Sequence, residues 1–164
     1  MKKLLLVLGA VTLIATSNAQ TARVQVIHNS ADAAADTVDV YLDGNLLIDD
    51  FVFRTASAFI DAPASTPISV AIAPSNSTSV SQSIATFPYT LTVNETYVLV
   101  AEGIVSTSGY SPATPFGISV YAMGREVANA MGNTDVLVHH GSTDAPAVDV
   151  YESSVPAGNI VTNA

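Results

Sequence analysis

The chain has 164 residues, no cysteine, and 14 acidic residues against five basic ones, for a formal net charge of −9. Lys2 and Lys3 sit in an N-terminal segment that reads as removable, which leaves Arg23, Arg54 and Arg125 as the only Lys or Arg side chains. So few cations exclude a nucleic-acid or anionic-lipid surface, which needs dense Lys and Arg to displace counterions, and the lack of cysteine excludes a disulfide-stapled scaffold, so a buried core must hold the fold.

Lys2 and Lys3 precede an apolar run from Leu4 to Ala15, and Ser17-Asn18-Ala19 has the small-x-small form of a cleavage site. This predicts a secretory signal peptide over residues 1–19, cut after Ala19. The run is about twelve residues, short of the roughly 20 that a membrane-spanning helix needs, and no later stretch approaches that length. The expected localisation is secreted, periplasmic or cell-surface, with no transmembrane segment after signal removal.

From Gln20 onward, period-two patterning recurs and helical periodicity is scarce, so the expected class is all-β. Val24, Val26 and His28 share one face of a first strand, and Val38, Val40 and Leu42 one face of a second. Asp43-Gly44-Asn45 supplies a hairpin turn into Leu46 to Ile48. Further strands are expected at Phe51 to Ile60, Ile68 to Ala73, Val80 to Thr86, Tyr97 to Gly103 and Gly117 to Met123, with Ser106 to Pro115 as a surface loop. Strand spacing of this kind fits an immunoglobulin-like antiparallel β-sandwich over residues 20–124.

The phrase at residues 28–41, HNSADAAADTVDVY, returns at residues 140–151 as HGSTDAPAVDVY. Its two histidines lie one sandwich length apart, ~100 residues. The expected organisation is therefore a linker over residues 125–134 and the first strands of a second, truncated copy over residues 135–164. Asp135 to His140 and Ala147 to Tyr151 should repeat the first two strands, either poorly ordered or added to a neighbouring sheet.

The repeated His-x-x-x-Asp (His28 and Asp32; His140 and Asp144) carries the strongest chemical signal. A histidine and a carboxylate at this spacing can form a general base with its orienting partner, or two metal ligands. Phase favours a structural turn motif instead, because each histidine continues a core-facing valine series and would hydrogen-bond the following Asp or loop backbone. His139 is out of phase and expected to be exposed. Asp39 and Tyr41, like Asp149 and Tyr151, alternate against buried valines and are expected on an outward face, where an acid and a ring could meet a sugar, or where Tyr41 packs across a neighbouring strand while Asp39 caps the preceding turn. His28, Asp32, Asp36 and Asp39 are the metal-ligand candidates, with Asp49 and Asp50 just beyond. Calcium is the one cofactor that such an oxygen-rich stretch suggests, although the spacing matches no EF-hand.

Enzyme signatures are missing from the sequence: it has no Gly-x-Ser-x-Gly elbow, no His-Glu-x-x-His, no phosphate-binding glycine loop and no nucleophilic cysteine. His28 is the only histidine within residues 20–124. The expected role is a non-enzymatic extracellular module with a structural, adhesive or binding function, its partners an extracellular polysaccharide or other surface proteins. A carbohydrate-binding module using the Asp/Tyr face is the alternative, and a metal-dependent hydrolase centred on His28 and Asp32 a third.

Residues 22–32 (ARVQVIHNSAD), 37–44 (TVDVYLDG) and 53–59 (FRTASAF), with the second phrase at 140–151, resemble the bacterial domain of unknown function 4397. The chain departs from that pattern at Ala31 and Ala34, where prolines are usual, and at Arg54, where glycine is customary. The resemblance implies an exported, immunoglobulin-like sandwich, often in tandem copies, without established catalytic residues.

Overall fold

The structure, a computed structural model, describes residues 20–151 and 159–161; the signal-peptide expectation falls on residues 1–19, outside them. Strand β1 (Thr21–His28) buries Ala22, Val24, Val26 and His28 and leaves the intervening residues half-buried, the alternation of a strand with one face on a core. In β2 (Thr37–Leu42) four consecutive residues, Val38 to Tyr41, are buried, so this strand is covered on both faces. Asp43 and Gly44 follow at φ 49° and 81°. A tight hairpin requires positive φ at both central positions, and glycine supplies it without steric cost.

β3 (Asn45–Val52) runs on past the expected Leu46 to Ile48 and takes in the first two residues of the next expected strand. The strand expected across Phe51 to Ile60 breaks at Arg54, whose φ of 64° turns the chain away from the sheet. The chain then touches β1 through an isolated bridge between Ile27 and Ala56 and resumes as β4 (Ile60–Pro63) in the opposite sheet. After β5 (Pro67–Pro74), the strand expected at Val80 to Thr86 divides into a single 3-10 turn, Val80–Gln82, and β6 (Ala85–Thr90). β7 (Thr96–Glu102) and β8 (Gly117–Tyr121) complete the sandwich.

The two four-stranded sheets have the orders β4-β1-β7-β8 and β3-β2-β5-β6. Their pairs are antiparallel except β1 with β7, which run parallel from Arg23 opposite Thr96 to His28 opposite Ala101. Val24, Val26, Val40, Phe51, Ile68, Val70, Ile72 and Leu99 fill the space between the sheets. Burying such a side chain contributes about 1.5–3 kcal/mol, and this layer is what offsets chain entropy in a domain without cross-links. Among the described residues no helix is long and apolar enough to cross a membrane.

The segment following β8 departs from expectation. Residues 135–140 repeat the β1 pattern but form no strand, because β1 is held by β4 and β7 and no described strand pairs with 135–140. Among the described residues of this segment, only Val150–Tyr151 (β9) is extended and paired, with Asn159–Val161 (β10), in a separate two-stranded sheet. The expected linker is anchored at its start, since Gly124 N donates to Thr96 O at 2.9 Å and Arg23 pairs with Glu126 at 2.7 Å.

Candidate functional site

At one end of the sandwich, the phrase beginning at His28 folds into a compact turn. Asp32 caps the 3-10 turn Ala33–Ala35, accepting from Ala34 N at 2.9 Å. Its carboxylate also accepts from Val105 N at 2.8 Å, Ser106 N at 2.6 Å and Ser106 Oγ at 2.7 Å. Burial alone would raise this carboxyl, but the ring of N–H and O–H donors wins and holds it at about 2. Asp32 is thus a buried anion tying two loops together.

His28 is 1% exposed and lies against Phe51 and Phe53, with ring centroids 5.8 and 6.0 Å away. Its Nε2 donates to Ala35 O at 2.7 Å, and Nδ1 faces Ser30 N at 3.4 Å, so the ring is the neutral Nε2–H tautomer. Burial lowers the histidine from its ordinary value, against the opposing pull of the Ala35 carbonyl and Asp36. The core-facing position expected of His28 holds, and its partner is loop backbone rather than Asp32. The metal-ligand set is not assembled: His28 Nε2 and the Asp32 carboxylate serve separate backbone partners, Asp36 is exposed, and Asp39 belongs to another cluster.

Asp39 and Tyr41 do occupy the side of β2 opposite the core valines, yet they are only 1% and 4% exposed, which corrects the expected outward sugar-facing pair. The cause is the chain after β5, which folds back over this face. Tyr41 packs with Ala71, Ala73 and Val80 and donates from its hydroxyl to Ser77 Oγ at 2.8 Å. Ser77 Oγ in turn donates to Asp39, which also accepts from Asp50 N at 3.2 Å. Oxygens of Asp39, Asp49 and Asp50 lie within 4.8 Å of one another, a hard-oxygen grouping of the kind calcium takes. Partial desolvation and the charges of Asp50 and Asp39 raise the Asp49 carboxyl. Asp49 and Asp50 stand next to each other in the sequence, but only the hairpin register between β2 and β3 brings them to Asp39.

The second copy of the phrase reproduces part of the first. His140 Nε2 contacts Pro146 O at 3.2 Å, as His28 contacts Ala35, whereas Asp144 is exposed and accepts from Ser142 Oγ at 2.8 Å. Asp32 owes its burial to the loop at residues 105–106, and among the described residues no such loop lies over Asp144. Asp149 and Tyr151 are exposed.

His139, expected on the surface, is instead half-buried against β7 and β8, a residue that sequence phase alone could not place. It hydrogen-bonds the Tyr121 hydroxyl through Nδ1 at 2.8 Å, and its Nε2 lies 2.9 Å from Glu102 Oε2 without hydrogen-bond geometry. Ser119 Oγ donates to the other oxygen of Glu102. Serine, histidine and acid therefore meet here in an order that differs from a nucleophile with its base: the hydroxyl is bound to the carboxylate and the imidazole to a tyrosine.

Comparison with known families finds that the model for a domain of unknown function, DUF4397, matches residues 22–151. No protein of curated function matches the chain.

Proposed function

The chain belongs to the DUF4397 family, a domain of unknown function, and on that premise we propose that it is an exported, non-catalytic β-sandwich module that spaces or attaches surface components outside the bacterial cell. The observation that carries this reading is the use made of the repeated His/Asp phrase. His28 and Asp32 are consumed by the fold itself, one by Ala35 O and the other by the backbone of residues 105–106, so neither is left to act on a substrate. The Ser119 hydroxyl donates to the Glu102 carboxylate and not to an imidazole. The few cations, the apolar run at residues 4–15 and the repeat support an extracellular role, with a polysaccharide or another surface protein as partner.

Two measurements test the proposal. N-terminal sequencing of protein recovered from the periplasm or medium should begin at Gln20, and retention of the intact leader inside the cell would remove the exported role. The intact chain should turn over no ester, glycoside, phosphoester or peptide substrate. Turnover that disappears in His28→Ala at an unchanged melting temperature would overturn the non-catalytic reading.

Calcium binding is a second reading, favoured by the Asp39, Asp49 and Asp50 oxygens. Unfolding in millimolar calcium against chelator reads it directly: a ligand at 100 times its Kd adds about 2.7 kcal/mol. No change in the midpoint removes calcium from the account.

A further inference from the structure

The face of the β4-β1-β7-β8 sheet turned away from the core carries a cavity of about 400 Å³, inside the usual range for small-molecule sites. Its floor is apolar, made by Ile27 of β1 with Val98 and Val100 of β7. Two half-buried aromatic rings, Phe59 and Tyr121, also line it. The remaining wall comes from the segment after β8, through Arg125, Asp135 and His139.

Charge narrows what such a space can hold. Arg125 Nε pairs with Asp135 at 2.5 Å, and His139 lies 2.9 Å from Glu102, so the guanidinium in the wall is already paired and the imidazole sits beside a carboxylate of the same chain. Among the described residues of the lining no unpaired cation is left to attract an anion, and the net charge of −9 repels anions at longer range. Polar capacity nevertheless remains. The Arg125 pair uses Nε, and among the described residues the terminal amino groups of its guanidinium make no hydrogen bond. Gln25, also in the lining, spends its Nε2 on Ser57 O at 3.0 Å and has an amide oxygen to accept with. An apolar floor with aromatic rings, its guanidinium already paired and its edge carrying donors and acceptors, suits a ligand with C–H faces and many hydroxyls.

We propose that this cavity binds a neutral pyranose unit of a glycan. The C–H face of the sugar lies against Tyr121 or Phe59 and the aliphatic floor, and its hydroxyls exchange hydrogen bonds with Gln25, Arg125 and Asp135. This assignment rests on the reading of the chain as a module that binds rather than catalyses. It uses a different surface from Asp39 and Tyr41, whose burial closes that route.

The test is an NMR titration of the intact chain with glucose, galactose, mannose and N-acetylglucosamine, and in parallel with glucuronate and glucosamine. At least one neutral sugar should give saturable shifts of the Gln25, Val98, Tyr121 and His139 amides. Tyr121→Ala should weaken that sugar about tenfold, the loss of one aromatic contact, whereas Tyr121→Phe keeps the ring and the affinity. Gln25→Ala, at an exterior-facing position, gives a second variant should Tyr121→Ala fail to fold. The proposal is overturned if none of the four neutral sugars produces saturable shifts at these residues, or if glucuronate or glucosamine binds there as tightly. Either result leaves the non-catalytic reading standing, since turnover assays decide that separately.

Discussion

Asp32 links residue chemistry to stability most directly. Folded, its carboxyl is held at about 2 against an ordinary value of 3.8, so the unfolded chain takes up this proton first as pH falls. The stabilisation is fully present above about pH 4 and is lost between about pH 4 and 2. Asp32→Asn should cost about 3 kcal/mol at neutral pH by turning an amide N–H₂ toward backbone donors, and urea unfolding from pH 2 to 5 should show a shallower acid limb than in the parent. His28 acts in the same direction at higher pH. Burial lowers it from 6.5, so the unfolded state binds the proton more readily, and stability that is full above pH 6.5 declines below it; the His28 ring resonances should titrate below 6.5. Asp49 has the opposite sign. Its carboxyl is raised, so ionising it disfavours the fold, and Asp49→Asn should raise the melting temperature at pH 7 in chelator. The phase of His28 was readable from the valines before it. The partners of Asp32 were not, since residues 105–106 are remote in the sequence and meet it only when the sheets close.

At the scale of elements, the strands that could be read were those with clean alternation or a strong turn. β1, β2 and the Asp43-Gly44 hairpin belong here, because period-two burial and positive φ are local properties. The strand across Phe51 to Ile60 failed because Arg54, where the family resemblance leads one to expect glycine, adopts φ 64° and sends the chain into the other sheet. The parallel β1–β7 pairing was also hidden, since alternation gives a strand's faces but not its neighbours. One glycine is required where β7 gives way to the loop before β8. A Cβ on Gly103, at φ 83°, would lie 2.3 Å from Pro115 O and 2.9 Å from Phe116 Cα. Gly103→Ala should therefore destabilise by about 2–4 kcal/mol, seen in thermal melts as a fall on the order of 10 °C or more. A fall of under about 2 °C would mean that the loop from β7 to β8 yields easily.

For the whole molecule, the core shared by the two sheets contains, among the described residues, none after Ile118. The segment beyond Glu126 is tied back chiefly by polar contacts, Arg125 to Asp135 and His139 to Tyr121 and Glu102. Such partly exposed pairs contribute about 0–1 kcal/mol each. Ending the chain after Glu126 should therefore lower stability by less than about 2 kcal/mol by calorimetry, while removing the His139 wall of the outer cavity. Limited proteolysis should cut first near Met131, which is fully exposed, and leave a folded sandwich. A loss well above that figure would show that residues 127–151 complete the fold rather than cover it.

Composition, phase and repetition by themselves determined the all-β class, the inward histidine, the hairpin and the family resemblance, because each depends on residues close together in the chain or on a simple census. Tertiary structure alone decided which carboxylates meet, that Asp39 and Tyr41 are roofed by the chain after β5, and that His139 turns in to wall a cavity. Those outcomes depend on what the rest of the chain lays over a strand's outward face, and a strand's alternation contains no information about its cover.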